Sequence, residues 1–150
     1  MKTNLNDCWK GVYLPYVNRA VYQWLYYDYS NDIIASNITE ATTNKQTPTL
    51  IKEFTLKNQI NPNSKFRITY SAIRQSGGQS CYIQTYINNV AVGTLRTITT
   101  QQDIVEDLIF SDWRRNDKIQ IYGYTDNTGN ILKVWNVYLK GTGSQWENTL

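Results

Sequence analysis

Few residues of this chain could act as a base, a nucleophile or a metal ligand. Histidine is absent, which excludes every mechanism that uses imidazole as a general base, proton shuttle or ligand. The two cysteines, Cys8 and Cys81, cannot form a four-thiolate zinc site. Serine has no histidine to activate it, and no Gly-x-Ser-x-Gly segment occurs. The sequence therefore favours a non-enzymatic protein and predicts no cofactor.

The cysteines have two structural interpretations. Cys81 shares one face of a predicted strand with Ile83 and Ile87, which favours a small buried apolar residue. A Cys8–Cys81 disulfide is the alternative, and it would tie the N-terminal segment to the rest of the domain. Cytoplasmic synthesis opposes that bond unless the protein ends up outside a cell.

Carboxylates are the other groups that could bind a metal ion or take part in catalysis. Asp103, Glu106 and Asp107 lie close together in the sequence, where their oxygens could serve a calcium ion. They match no calcium-loop signature, so solvated charge is the simpler interpretation. A glycosidase needs two carboxylates facing each other across a cleft, and proximity in sequence does not provide that geometry.

Aromatic residues with a polar group give the strongest signal. Tyrosine and tryptophan make up 17 of the 20 aromatic residues, and six tyrosines and two tryptophans fall within residues 8–29. Such rings stack on sugars, anchor protein interfaces or fill a core. Alternation makes both faces of residues 20–29 amphipathic, which favours a covered strand or a subunit contact over a ligand platform. The predicted interface or ligand-stacking residues are Trp9, Tyr13, Tyr16, Trp24, Tyr26, Tyr27 and Tyr29.

Length and charge restrict the class of protein. The 150 residues suit one domain, and we expect a single β-sandwich domain over 1–150, with residues 1–29 as a docking arm and first strand. The net charge of +3 is small for a nucleic-acid-binding protein. No apolar run is long enough for a membrane span, and the start has no apolar signal-peptide core. These features predict synthesis in a cytoplasm.

Period-two alternation dominates the remainder of the chain. Residues 65–72 alternate polar and apolar side chains, and residues 80–87 and 90–98 form a hairpin around Asn88 and Asn89. A second hairpin joins residues 117–124 to 131–140, and residues 50–56 form another strand. Residues 103–110 fit a helix as well as a strand. The sequence predicts an all-β fold, a jelly-roll-like antiparallel sandwich of two sheets and about eight strands.

The C-terminal half resembles a known group of jelly rolls. A hairpin with an Ile-Asn-Asn turn precedes a Trp-x-x-Asn-Asp-x-Ile entry to the penultimate strand, and the last strand reads Val-x-Asn-Val-x-Leu-x-Gly. This sequence pattern is similar to that of jelly-roll domains in structural proteins of tailed phages and archaeal viruses. Related sequence patterns occur in carbohydrate-binding modules and tumour-necrosis-factor-like trimers. Asn89 and Asn116 stand where glycine is usual, so we expect both in the left-handed region. The resemblance rests on residues 65–70, 86–93, 112–122 and 134–141.

The resemblance implies a viral structural protein that decorates a capsid or belongs to a tail or spike. It would act through contacts with other virion proteins or as a homo-oligomer, with residues 1–29 as the docking arm, and would be located in the virion. The alternative is a carbohydrate-binding module or lectin-like receptor binder for a host-surface glycan, with Trp24, Tyr26 or Tyr29 as stacking platforms. We expect neither nucleic acid nor a membrane span among its interactions.

Overall fold

A computed structural model describes residues 28–143 and 145–150, and in this part of the chain every regular element is a strand. No helix among these residues is long and apolar enough to cross a membrane. The predicted strand over residues 20–29 lies outside the described residues, apart from Asp28 and Tyr29, which belong to no strand. The strands are β1 Ile33–Asn37, β2 Ala41–Thr43, β3 Thr49–Leu56, β4 Phe66–Ser76, β5 Cys81–Ile87, β6 Val90–Ala91, β7 Arg96–Ile98, β8 Gln102–Leu108, β9 Lys118–Thr125, β10 Ile131–Lys140 and β11 Trp146–Asn148.

The strands form two antiparallel sheets. One sheet has five strands in the order β1-β10-β4-β8, with β2 also beside β10. The other has six strands in the order β11-β3-β9-β5-β6, with β7 also beside β5. The chain alternates between the two sheets as it passes through the long strands β3, β4, β5, β8, β9 and β10. Long strands that are neighbours in a sheet are therefore not consecutive in the chain. This is a jelly-roll order, and it confirms the predicted fold class.

The predicted strand faces form the core between the sheets. Phe66, Ile68, Tyr70 and Ala72 on β4 are at most 2% exposed, as alternation predicts. The face of β5 that carries Cys81 is equally buried. Period-two alternation therefore correctly predicts the inner surface of β4 and β5. The predicted hairpin of residues 117–124 and 131–140 is wrong, because β9 pairs with β3 and β5 in one sheet while β10 pairs with β4 in the other.

An aromatic cluster closes one end of this core. Trp113 is completely buried, and its ring meets those of Phe66, Phe110 and Trp146 edge to face at centroid distances of 5.5, 4.6 and 5.3 Å. Its indole N–H donates to the carbonyl oxygen of Ser64 at 2.8 Å. The Trp-x-x-Asn-Asp-x-Ile segment thus fixes the approach to β9 by burying its first residue.

Left-handed asparagines make two of the turns. Asn88 and Asn89 have φ of 52° and 68° in the β5–β6 hairpin, and Asn116 has φ of 78° before β9. The expected left-handed conformations at Asn89 and Asn116 are confirmed. The predicted strand over residues 90–98 is instead two short strands, because Val92 and Gly93 bend away and donate their amides to the carbonyl oxygen of Thr85.

The ambiguous segment 103–110 is mainly the strand β8, so the helical alternative is wrong. Ile104 and Leu108 face the core, while Asp103, Val105 and Asp107 are exposed, which is a period of two. The strand pairs with β4 from Gln102 to Leu108 and forms the edge of the five-stranded sheet. Pairing with β4 decides a pattern that the sequence alone leaves open.

Candidate functional site

Four tyrosines stand together on the outer surface of the six-stranded sheet. Because Ile83, Thr85, Ile119 and Ile121 point into the core, the alternate residues of β5 and β9 point outward. The register then places Tyr82 opposite Tyr124 and Gln84 opposite Tyr122. We call the surface formed by the four half-buried tyrosines on these two strands the tyrosine face. They are Tyr82, Tyr86, Tyr122 and Tyr124.

The four rings form two pairs. Tyr82 and Tyr124 stack with centroids 4.9 Å apart and planes at 25°. Tyr86 and Tyr122 meet at 4.4 Å and 36°, along the diagonal of the sheet. Four residues of strand separate Tyr82 from Tyr86, a rise of roughly 13 Å. Each pair fixes two rings that would otherwise rotate, so the face offers a preorganised aromatic surface to a ligand.

The phenol groups divide into anchored and available ones. The hydroxyl of Tyr82 donates to Asp126 Oδ2 at 3.1 Å, and this bond raises the pKa of the phenol above its ordinary value. The hydroxyl of Tyr122 donates to Asn89 Oδ1 at 3.0 Å. Within the part of the chain that the structure describes, the hydroxyls of Tyr86 and Tyr124 have no hydrogen-bond partner. Each pair therefore carries one fixed hydroxyl and one that can bind a ligand.

A polar network fixes the Tyr122 end of the face. Gln120 is 2% exposed, and its amide donates to Glu53 Oε2 at 2.9 Å and to Asn89 Oδ1 at 3.0 Å. Burial would raise the pKa of Glu53, but hydrogen bonds from Lys118, Gln120 and Thr149 outweigh that effect and lower it. The Glu53 carboxylate is thus stabilised in its charged form beneath the aromatic surface.

Gln84 occupies the centre of the face and connects it to the loop between β6 and β7. Its side-chain amide donates to the carbonyl oxygen of Gly93 at 2.8 Å. The same loop is held from the inner side by Glu106, which accepts from the amide of Thr94 at 3.2 Å. The central polar group between the two tyrosine pairs therefore has a fixed orientation.

This arrangement is suited to binding. Half-exposed rings can stack on the apolar face of a flat ligand, while the neighbouring hydroxyls and amides exchange hydrogen bonds with its polar groups. Among the described residues, no three histidine, cysteine, aspartate or glutamate side chains are placed to hold a metal ion.

The predicted contact aromatics fall almost entirely outside the described residues. Trp9, Tyr13, Tyr16, Trp24, Tyr26 and Tyr27 lie in residues 1–27, so their role as interface or stacking residues stays a prediction. Tyr29 is described, and its ring centroid lies 5.7 Å from Lys65 Nζ and 5.5 Å from Arg67 Cζ. Burial is the main cause of the raised pKa of Tyr29. Tyr29 is thus separate from the tyrosine face.

The calcium candidates point in opposite directions. On β8, Asp103 accepts from the hydroxyl of Ser71 at 2.7 Å, and Asp107 pairs with the guanidinium of Arg67. Glu106 faces inward instead. Strand geometry therefore does not present the three carboxylates to one ion, which corrects the grouping suggested by their spacing.

Cys81 is fully buried and forms no disulfide with another described residue, and burial raises the pKa of its thiol. That environment matches the interpretation as a small core residue. Cys8 lies outside the described residues, so its pairing with Cys81 stays a prediction.

Sequence reasoning missed the tyrosine face because it considered each strand separately. The alternation of residues 80–87 does place Tyr82 and Tyr86 opposite the buried side of the strand. It does not reveal that β9 is the neighbour of β5, since three strands and their turns separate them in the chain. A search for tyrosine at alternate positions in every predicted strand would have found the four residues.

Several solved structures are similar to this sandwich. The EclA C-terminal domain, described as a sugar-binding protein, superposes with a TM-score of 0.54 at 9% identity, covering 69% of this chain and 79% of its own. The CBM22-1 xylan-binding domain of Paenibacillus barcinonensis Xyn10C gives 0.47 at 8% identity, over 75% and 96%. The CBM35 of Cellvibrio japonicus Abf62 gives 0.42 at 14% identity, over 81% and 88%. No protein-family model and no curated protein sequence matches the chain.

The similarity to the EclA domain concerns the fold. At 9% identity, the likeness to the EclA domain establishes a shared β-sandwich and nothing about the ligand. The role in a virion that the sequence pattern of the C-terminal half implies stays a prediction. Any function has to be argued from the side chains of the tyrosine face.

Proposed function

We propose that this protein is a non-catalytic carbohydrate-binding module and that the tyrosine face is its ligand site. The observation that carries the proposal is the placement of two preorganised tyrosine pairs, with available hydroxyls on Tyr86 and Tyr124, on one sheet surface. The sugar-binding description of a protein with a similar fold supports the same ligand class.

The chemistry of the face suits a neutral glycan. A sugar ring has an apolar C–H face that packs on an aromatic ring and hydroxyls at its edge that need partners. Tyr86 and Tyr124 supply hydroxyls, while Gln84 and Asp126 lie beside the rings with their own partners already in place. The carboxylate of Glu53 is paired with Lys118 at 2.9 Å, which limits repulsion or attraction of a charged ligand.

The spacing of the pairs indicates a ligand longer than one sugar. The roughly 13 Å rise between Tyr82 and Tyr86 runs along β5, and stacked rings at both ends would contact different units of a chain. We therefore expect affinity to increase from monosaccharides to oligosaccharides, as multiple contacts are made by one molecule.

The test is binding of the full chain to a panel of soluble polysaccharides and oligosaccharides by isothermal titration calorimetry. Tyr124→Ala and Tyr86→Ala should each weaken binding about tenfold, the size expected when one aromatic contact is lost. Tyr138→Ala is the matched control, since Tyr138 is a half-buried tyrosine on the other sheet. Failure to bind any glycan, or equal loss in all three variants, would contradict the proposal.

A further inference from the structure

Three buried side-chain oxygens between the sheets make no hydrogen bond of normal geometry among the described residues. They are the hydroxyl of Tyr70 on β4, the hydroxyl of Thr85 on β5 and Oε1 of Glu106 on β8. Their residues are 2%, 0% and 9% exposed, so bulk water does not reach them. Buried polar atoms in folded proteins are nearly always paired, and an unpaired one requires an explanation, such as strain or a bound water or ion.

The three oxygens belong to one locality. Burial raises the pKa of the Tyr70 phenol far above its ordinary value, while a weak hydrogen-bonding contact with the Thr85 side chain lowers it and the Glu106 charge raises it, so both groups lie near that hydroxyl. A Cβ placed on Gly93 would lie 2.1 Å from Glu106 Oε1 and 3.0 Å from the Cβ of Thr85. Thr85 and Glu106 therefore both border the bare Cα of Gly93. Tyr70 lies on β4 beside β8, opposite Ile104 and two residues from the register partner of Glu106.

The charge of this locality is already balanced. Glu106 Oε2 accepts from Arg96 Nε at 3.4 Å and from the amide of Thr94 at 3.2 Å. A second cation would lack a counter-charge, and three oxygens are fewer than the six to eight that calcium requires. An anion would be repelled by the carboxylate. The remaining ligand is small, neutral, and able to donate to Oε1 while accepting from a hydroxyl.

We infer that one internal water molecule binds between Tyr70, Thr85 and Glu106. Three partners are the usual number for a buried water. The water donates one hydrogen bond to Glu106 Oε1 and accepts one from either hydroxyl. With the other hydroxyl it forms a third bond, in which either group can be the donor. It thereby holds the carboxylate that fastens the β6–β7 loop, whose Gly93 carbonyl in turn orients Gln84.

The test is water–protein magnetisation transfer by NMR on the full chain, with Thr85→Val as the variant. The wild type should show a long-lived water in contact with the Thr85 methyl group and the Tyr70 ring, and Tyr70→Phe should weaken that signal. Thr85→Val should abolish it and lower the melting temperature by roughly 3–8 °C. Thr97→Val is the matched control, because Thr97 is an exposed threonine in a strand, and it should leave both unchanged.

An atomic-resolution crystal structure provides a readout that survives any loss of folding in the variants. Density for one water within hydrogen-bond distance of all three oxygens supports the inference. Density that shows the Tyr70 and Thr85 hydroxyls bonded directly to each other or to Glu106, with no water between, would overturn it. A melting temperature that rises with added calcium, or that differs between sodium and potassium salts, would show that a cation binds there. That result would also overturn the inference.

Discussion

The ring of Tyr82 on β5 lies against the ring of Tyr124 on β9, with centroids 4.9 Å apart and planes at 25°. The two residues are direct cross-strand neighbours, although more than 40 positions separate them in the chain. Their pairing connects the hairpin-forming strand β5 to the penultimate long strand and gives the outer sheet surface its aromatic character.

The stacked contact between Tyr82 and Tyr124 should appear as an interaction energy in the free energy of unfolding. We expect a double-mutant cycle of Tyr82→Ala and Tyr124→Ala, measured by urea unfolding, to give about 0.5–1.5 kcal/mol of interaction energy. The same cycle with Tyr82→Ala and Tyr138→Ala is the control, because Tyr138 lies on the other sheet. Additive losses in the first cycle would show that the stacked contact contributes nothing.

The hydroxyl of Tyr82 should titrate at higher pH than a free phenol. Its hydrogen bond to Asp126 raises the pKa above 10.0, because the bond stabilises the protonated form and the carboxylate repels a phenolate. Asp126→Ala should lower the pKa of Tyr82 towards 10.0, as measured by NMR titration of the ring signals. Asp103→Ala removes a carboxylate from the other sheet and should leave the titration unchanged.

Glu53 should contribute stability that is lost in acid. Its folded-state pKa lies below 4.5, because hydrogen bonds from Lys118, Gln120 and Thr149 outweigh the cost of burial. The contribution is therefore fully present above the unfolded value and disappears as the pH falls through the folded one. Glu53→Gln should flatten the acid limb of the unfolding free energy against pH. Glu147→Gln, at an exposed ion pair with Lys57, should leave that limb steep.

Trp113 should be the most sensitive core position at the aromatic end of the sandwich. Trp113→Ala should reduce the free energy of unfolding by about 3–5 kcal/mol, since it leaves a large cavity and removes the hydrogen bond to Ser64. Trp113→Phe should cost less because it retains most of the ring contacts. Trp135→Ala tests a half-buried tryptophan on an outer face, and an equal loss there would contradict the special role of Trp113.

Asn116→Gly should stabilise the protein. Asn116 adopts φ of 78°, where glycine meets no steric cost, and its backbone bond to Leu56 is unaffected by the change. We expect a gain of about 0.5 kcal/mol in urea unfolding, reduced by the greater entropy of glycine in the unfolded chain. Asn63→Gly, at a turn position without positive φ, should give no gain. Asn89→Gly differs again, because it removes the hydrogen bond to Tyr122.

The inner surface of the fold could be predicted from the sequence because it depends on local alternation. Phe66, Ile68 and Cys81 are buried where a period of two places them. The left-handed turns at Asn89 and Asn116 followed from the residue type that replaces glycine. Both kinds of information are contained in stretches of fewer than ten residues.

The tyrosine face could not be predicted because it depends on which strands become neighbours. Tyr82 meets Tyr124 only through the jelly-roll order, which pairs strands distant in sequence. The short strands β1 and β2 were missed for a related reason, since β10 provides the pairing that makes them strands. The proposed interface aromatics of residues 1–27 stay a prediction.

Among the described residues, no strand pairs with β8 on the side away from β4, and such an edge offers backbone hydrogen-bond groups to any other extended chain. If two molecules paired antiparallel about Val105, Asp103 of each would lie across from Asp107 of the other. Like charges in such positions oppose pairing. Asp103 and Asp107 are therefore placed where their charges would oppose edge-to-edge pairing of two molecules.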